Sequence, residues 1–230
     1  MRTLLAAAVP DPGQSLVLAG EENHHALHVL RLARGERVRV TGRDGRVGIA
    51  RMDGMEGAHA RLRVDELFVR ATATLPARIV LLGRPKPALL EEALTLGTEA
   101  GATAFHLVEA RRSPPGNLRE DRGARILDAA VKQCLRPDVP AFVPAAPLAD
   151  VLALLGEVPD LTRWLCDAGG SAPTPVAGPL VVAIGPEGGW DDGERALLRG
   201  AGFEDVHLGP HVLRNPTAVA VALGRSWGSS

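Results

Sequence analysis

The residues with the clearest chemical potential are Gly185-Pro-Glu-Gly-Gly189. They follow the apolar run Leu180-Val-Val-Ala-Ile184 directly and lead through Trp190 into Asp191-Asp192-Gly-Glu194. In open α/β sheets ligands bind beyond the carboxyl ends of strands, and glycines there let the backbone approach what is bound. The stretch lacks the Gly-Lys-Ser/Thr of a Walker loop and does not match G-x-G-x-x-G, so those two phosphate cradles are excluded. Its shape alone fits either a ligand loop or a plain strand-to-helix turn. A second candidate is Val206-His-Leu-Gly-Pro-His-Val-Leu-Arg-Asn-Pro-Thr-Ala218, which runs from a strand through an irregular loop into an Ala/Val-rich final helix. Pro216 suits the first turn of that helix, with Asn215 as its N-cap. The free N–H groups of a helix start can hold an anion or a polar ligand, and Arg214 adds a cation just ahead of it.

Other chemistries find less support. Cys134 and Cys166 lack C-x-x-C spacing, so two reduced cysteines, no metal site and a cytoplasmic setting are expected. The run Arg2–Val9 is too short for a signal peptide and meets Pro10-Asp-Pro12, so it reads as a first strand. No stretch reaches the roughly 18 apolar residues of a membrane span. The net charge of −1 does not mark a polyanionic partner, although residues 1–70 carry 11 arginines against 9 acids. Lys86 and Lys132 are the only lysines. The remaining cations are guanidiniums, which suit bidentate phosphate contacts; a genome-wide compositional bias produces the same pattern. Aromatic residues make up 3% and Tyr is absent, so the core must be built from Ala, Val and Leu, and base stacking on a sheet is poorly supported.

These residues need elements to position them. Between Arg37 and Val69 period-two runs (37–41, 47–51, 59–64) are split by turns, with Asp44-Gly45 as a hairpin signal, which predicts a small β-barrel. Ahead of it Glu22–Arg31 has helical spacing and a Gly35 stop. From Ala77 apolar runs at 79–82, 104–108, 164–166, 180–184 and 206–208 alternate with helices at about 87–100, 119–135, 147–155, 192–201 and 216–224. Doubly buried strands separated by such helices predict an α/β fold with a parallel sheet covered on both faces. The boundary is expected within 70–76.

The chain also carries His24-His25 with Val29-Leu-Arg31, Ile184-Gly-Pro-Glu-Gly-Gly189, and Leu208-Gly209 with Leu213-Arg214. Between these lie Glu99 with Gly101, Arg112-Ser113, and Gln133 with Arg136. In this order they resemble the motifs of the SPOUT methyltransferases, specifically the branch that methylates N3 of a uridine in 16S ribosomal RNA. The resemblance spans nearly the whole chain. It implies a PUA-like β-barrel RNA-binding domain at 1–72 and a SPOUT methyltransferase domain at 73–230 whose C-terminal chain threads a trefoil knot. It further implies S-adenosyl-L-methionine as cofactor, held by Leu82, Gly185, Glu187, Gly188, Leu208, Gly209, Leu213, Asn215, Thr217 and Ala218. The implied partners are small-subunit ribosomal RNA or a pre-assembled small subunit, and a second copy of the chain in a homodimer, with no membrane. The apolar final helix, Ala218–Leu223, is compatible with burial at such an interface.

Methylating N3 of uracil requires loss of the imide proton and in-line attack on the sulfonium methyl. Arg214 is the expected stabiliser of the developing charge. Glu187 is expected either to accept the proton or, in preference, to anchor its loop through backbone N–H bonds. His24, His25, Arg31, Arg112 and Arg136 are the expected RNA contacts, whereas His28 is expected to pack. Three positions depart from the family pattern: Pro216 and Ala129 stand where a carboxylate is usual, and Leu96 where a lysine is usual. These losses keep two other outcomes open, action on another RNA such as tRNA, and an RNA-binding or ribosome-assembly relative with weakened catalysis.

Overall fold

The computed structural model describes residues 1–69, 76–116 and 119–227, and the chain forms two compact units. The first comprises Met1–Leu75 with Asp128–Val139, and the second Pro76–Leu127 with Pro140–Ser230. All but the last residue of the expected boundary segment, 70–76, lies outside the described residues.

In the first unit β1 (Thr3–Ala6), β2 (Ser15–Val17), β3 (Arg37–Gly42), β4 (Val47–Glu56) and β5 (His59–Val69) form one sheet in the order β1-β3-β4-β5-β2. Alternation decides which face is buried: Val38 and Val40 of β3 are completely covered while Arg37 and Arg39 point away from that core. Sequence patterning does not reveal β2 or the parallel pairing of β1 with β3. The helix expected over Glu22–Arg31 is divided into α1 (Gly20–His24) and a π-helical turn (His25–Val29). Asn23 ties α1 to the β4–β5 hairpin, its amide donating to the Ala58 carbonyl at 3.2 Å and accepting from the Ala60 N–H at 2.8 Å. His28 is exposed, stacking on the His24 ring at 4.7 Å, because the π-turn carries it off the apolar stripe on which regular helical spacing would bury it.

The second unit contains β6 (Arg78–Gly83), α2 (Pro87–Glu99), β7 (Ala104–Val108), α3 (Glu120–Cys134), β8 (Ala141–Ala146) and α4 (Leu148–Gly156), the C-terminal part of α3 being grouped with the first unit. It continues with β9 (Thr162–Ser171), β10 (Leu180–Ile184), α5 (Asp192–Gly200), β11 (Glu204–Val206) and α6 (Asn215–Ser226). The six strands are all parallel, in the order β11-β9-β10-β6-β7-β8. The neighbours β6 and β10 are buried along their whole length, as continuous apolar runs in a doubly covered sheet require. One face is closed by α4, α5 and Trp190, with Leu148, Val151, Leu155 and Leu198 in its core. On the other face α2 packs against α6. Gly97 permits that approach, since a Cβ there would lie 2.7 Å from the Phe105 ring and 2.8 Å from Val219.

A buried guanidinium closes this unit. Arg78, at the start of β6, is completely inaccessible. Its Nε donates to Ser226 Oγ at 2.9 Å, Nη1 to the carbonyls of Gly178 (2.7 Å) and Ala77 (3.2 Å), and Nη2 to the carbonyl of Val176 (2.6 Å). The guanidinium carbon lies 4.2 Å from the Trp227 ring centroid, a cation–π contact.

Sequence patterning places β7 and β10 at their observed bounds, but β11 ends at Val206, which leaves Leu208 in the following loop. It misses β8, where Pro144 interrupts a half-buried edge strand. Ala218, Val219, Ala222 and Leu223, expected to be available for an interface, are buried within the unit.

Replacing Gly97 by Ala should destabilise the protein by about 1–3 kcal/mol through overpacking, read as a lower urea midpoint with an unchanged slope. A second test concerns His106 on β7, whose ionisation burial pushes below the ordinary histidine range. The folded state then binds fewer protons than the unfolded one, so stability present above that range is lost as pH falls through it. The urea midpoint should drop between about pH 7.5 and pH 5.5, and His106→Gln should flatten the drop.

Candidate active site

The turn after β10 is shaped by close backbone packing. A Cβ on Gly83 would lie 2.5 Å from the Pro186 ring, and one on Gly185 would lie 2.9 Å from the Trp190 nitrogen. Gly189, at φ +69, closes the turn with its N–H on the Pro186 carbonyl at 2.7 Å. Beyond it Asp191 caps α5 in a capping box, Asp191 Oδ1 accepting from the Glu194 N–H and Glu194 Oε2 from the Asp191 N–H, both at 2.8 Å.

Three side chains fasten this turn to its surroundings. Glu187 Oε1 accepts the Lys86 N–H at 3.2 Å, which makes the carboxylate a loop anchor. Arg112 Nη1 donates to the Gly188 carbonyl at 2.8 Å. Asn215 Nδ2 donates to the Gly185 carbonyl. Asn215 is therefore not the N-cap of α6. That position belongs to Arg214, whose backbone is extended and whose side chain makes no capping bond, while Pro216 occupies the first turn. The amide is better used across the loop, because it satisfies a carbonyl at the end of β10.

The two loops enclose one cavity of about 870 Å³ at the carboxyl edge of the sheet, a size suited to a ligand of several hundred daltons. Gly185, Glu187, Gly188, Leu208, Gly209, Leu213, Arg214, Asn215 and Ala218 all line it. Leu82, buried in β6, and Thr217, exposed on α6, are not among the lining residues, although both share an element with residues that hold the site. Of the expected RNA contacts, Arg112 is exposed beside the glycine turn. Arg136 is largely covered and paired with Asp138. His24, His25 and Arg31 lie in the first unit, His24 and Arg31 exposed and His25 half-buried.

Arg214 is exposed and makes no ion pair with Glu187 or any other acid among the described residues. Cys166, Asp167, Arg195, His207 and His211 also line the cavity and were not legible as site residues. Cys166 and Asp167 carried a positional signal, since both stand near the carboxyl end of an expected strand. Burial, aided by the charge of Asp167, pushes the Cys166 thiol up to about 12, so it is protonated near neutrality and offers no nucleophile. Asp167 Oδ2 accepts from Arg195 Nε at 2.6 Å. The buried indole N–H of Trp190, which also lines the cavity, has no partner among the described residues. Glycine walls that admit close approach and exposed loop backbone suit a flat heterocycle with polar attachments, and Arg214 adds a cation that suits negative charge. Among the described residues no group of acids, cysteines and histidines could hold a metal ion.

A family model for an RNA methyltransferase domain matches residues 74–227. The ribosomal RNA small subunit methyltransferase E of Mycobacterium bovis is 33% identical over 240 residues, covering 94% of this chain and 87% of that protein. Its Synechocystis counterpart is 32% identical, covering 92% and 72%. The crystal structure of the Neisseria gonorrhoeae enzyme of the same name, bound to S-adenosyl methionine, superposes with a TM-score of 0.85 at 23% identity over 97% of this chain and 95% of that one. The fold and the matching family model are thus those of an RNA methyltransferase. Within that class, the chain belongs to the family of ribosomal RNA small subunit methyltransferase E.

Replacing Asn215 by Ala should free the Gly185 carbonyl from its tether. Hydrogen exchange at the Gly189 amide, bonded to the Pro186 carbonyl, is expected to accelerate about fivefold, in line with the ~1 kcal/mol of one hydrogen bond. Unchanged exchange at this amide would show that the other two fastenings suffice.

Proposed function

We propose that the protein transfers a methyl group from S-adenosyl-L-methionine to N3 of a uridine in small-subunit ribosomal RNA. The observation that carries this reading is the single cavity enclosed by the glycine turn and the 207–215 loop, with an unpaired arginine at its rim. The names of the family relatives supply the substrate class. The cofactor supplies an electrophilic sulfonium methyl. Gly185, Gly188, Leu208, Gly209 and Leu213 hold it, together with Asn215 and Ala218.

Arg214 donates hydrogen bonds to a uracil carbonyl and stabilises the negative charge that spreads over the imide as N3 gives its proton to solvent; N3 then takes the methyl as its bond to sulfur breaks, and S-adenosylhomocysteine leaves. Glu187 fixes the turn through Lys86 and is a positioning group. Exposed Arg112 and Arg31, with His24 and His25, contact RNA. The same reading gives the five-stranded sheet the role of a PUA-like RNA-binding barrel and the C-terminal chain a trefoil-knotted path. It also makes the working form a homodimer in the cytoplasm, with Val212, 95% exposed, available to a partner. Among the described residues no helix is long and apolar enough to cross a membrane.

The decisive experiment is mass spectrometry of small-subunit ribosomal RNA from a strain lacking the protein. Loss of 3-methyluridine at one position, restored by complementation, is expected; its persistence would refute the assignment. Arg214→Gln should lower the rate of methyl transfer by about 10²–10³-fold, the range for removing one charge-stabilising donor. The cofactor dissociation constant, measured by calorimetry, should stay within about twofold, since a transition-state contact leaves ground-state binding intact.

A further inference from the structure

Asp167 and Arg195 form an ion pair in the cavity wall to which neither the glycine turn nor Arg214 assigns a task. Asp167 belongs to β9, the strand beside β10. Register pairs Leu165 with Ala183, so two residues further on Asp167 stands level with Gly185 at the mouth of the turn. Arg195, on the first turns of α5, reaches it with Nε at 2.6 Å and approaches Asp192 Oδ1 at 3.4 Å. The Asp167 carboxylate in turn raises the arginine's ionisation. Both side chains are only partly exposed, and both line the cavity. The pair therefore fixes the carboxylate in direction, and an ionised carboxylate is an acceptor only.

An acceptor-only group selects donors. Besides backbone and aliphatic groups the opposing loops present His207, His211, Arg214, Asn215 and the loop-anchoring Glu187. On S-adenosyl-L-methionine the neighbouring hydroxyls of the ribose form a compact pair of neutral donors, well matched to a fixed carboxylate. Dinucleotide-binding α/β sheets show the chemistry, an acidic side chain taking a ribose hydroxyl near a glycine turn; here the carboxylate lies on the strand beside that turn. We propose that Asp167 accepts hydrogen bonds from the ribose 2′- and 3′-hydroxyls of the cofactor, and that Arg195 is the positioning residue that aims it. The inference rests on the cofactor reading above and adds a specificity determinant on a strand outside both loops.

The test is a double-mutant cycle by calorimetry on the full chain, with S-adenosylhomocysteine and its 2′,3′-dideoxy analogue as ligands. Wild-type protein should bind the dideoxy analogue about tenfold or more weakly, as loss of hydrogen bonds to a charged acceptor implies. Asp167→Asn should weaken S-adenosylhomocysteine by a similar factor and leave the analogue unchanged, so that discrimination collapses. Arg195→Met should reduce discrimination in the same direction. Equal loss of both ligands, or no loss of either, overturns the proposal, because the pair would then be structural or would face another part of the ligand. If Asp167→Asn does not fold, wild-type discrimination and Arg195→Met carry the same test. Wild-type protein that binds neither ligand overturns the cofactor reading and the proposal with it, whereas binding that ignores the hydroxyls overturns the proposal alone.

Discussion

The larger unit is organised around one desolvated charge. Arg78 has no solvent exposure and no ion pair within 4 Å among the described residues. It is satisfied by three carbonyls, one hydroxyl and an aromatic face. Burying a guanidinium on such terms is costly unless every donor is met, so its partners are fixed as strictly as a core side chain. Those partners come from the segment that leads into β10 and from the end of α6. Strand β10 delivers the glycine turn, and α6 begins with the residues that cross-link to it. The two walls of the cavity thus share one mechanical reference, at the opposite end of the strand from the site.

Around the cavity, holding and chemistry fall to different groups. The backbone of the turn is held by Glu187, Arg112 and Asn215, all engaged with main-chain partners. Among the described residues Arg214 has no ion pair, and its side chain makes no capping bond. An unpaired cation beside a glycine-walled cavity is where charge appearing on a bound base meets the largest response. Pro216, the departure that stood out in the closing motif, fits in the first turn of α6, where a missing N–H costs no helical bond.

What could be read from the residues alone follows the range of the interactions. The doubly buried strands β7 and β10 were legible to the residue because local composition settles them. So was the glycine turn, whose chemistry is contained in five consecutive residues. Strand β8 was hidden because Pro144 and half-burial erase the apolar run. The capping role of Asn215 was misread because its partner, the Gly185 carbonyl 30 residues away, competes with the helix cap that local pattern suggests. The Asp167–Arg195 pair joins residues 28 positions apart on different elements, and no spacing rule marks such a contact.

The protonated state of Cys166 bears on the selectivity of the site toward its own wall. A sulfonium methyl is an indiscriminate alkylating agent, and a thiolate is the strongest nucleophile that an amino-acid side chain supplies. A cavity that stores such a reagent beside a cysteine risks consuming it on the protein. With the thiol held at about 12, the sulfur presents almost none of the anionic form that reacts. Burial, the larger cause, and the neighbouring Asp167 carboxylate together keep the sulfur in the form that a methyl donor does not alkylate.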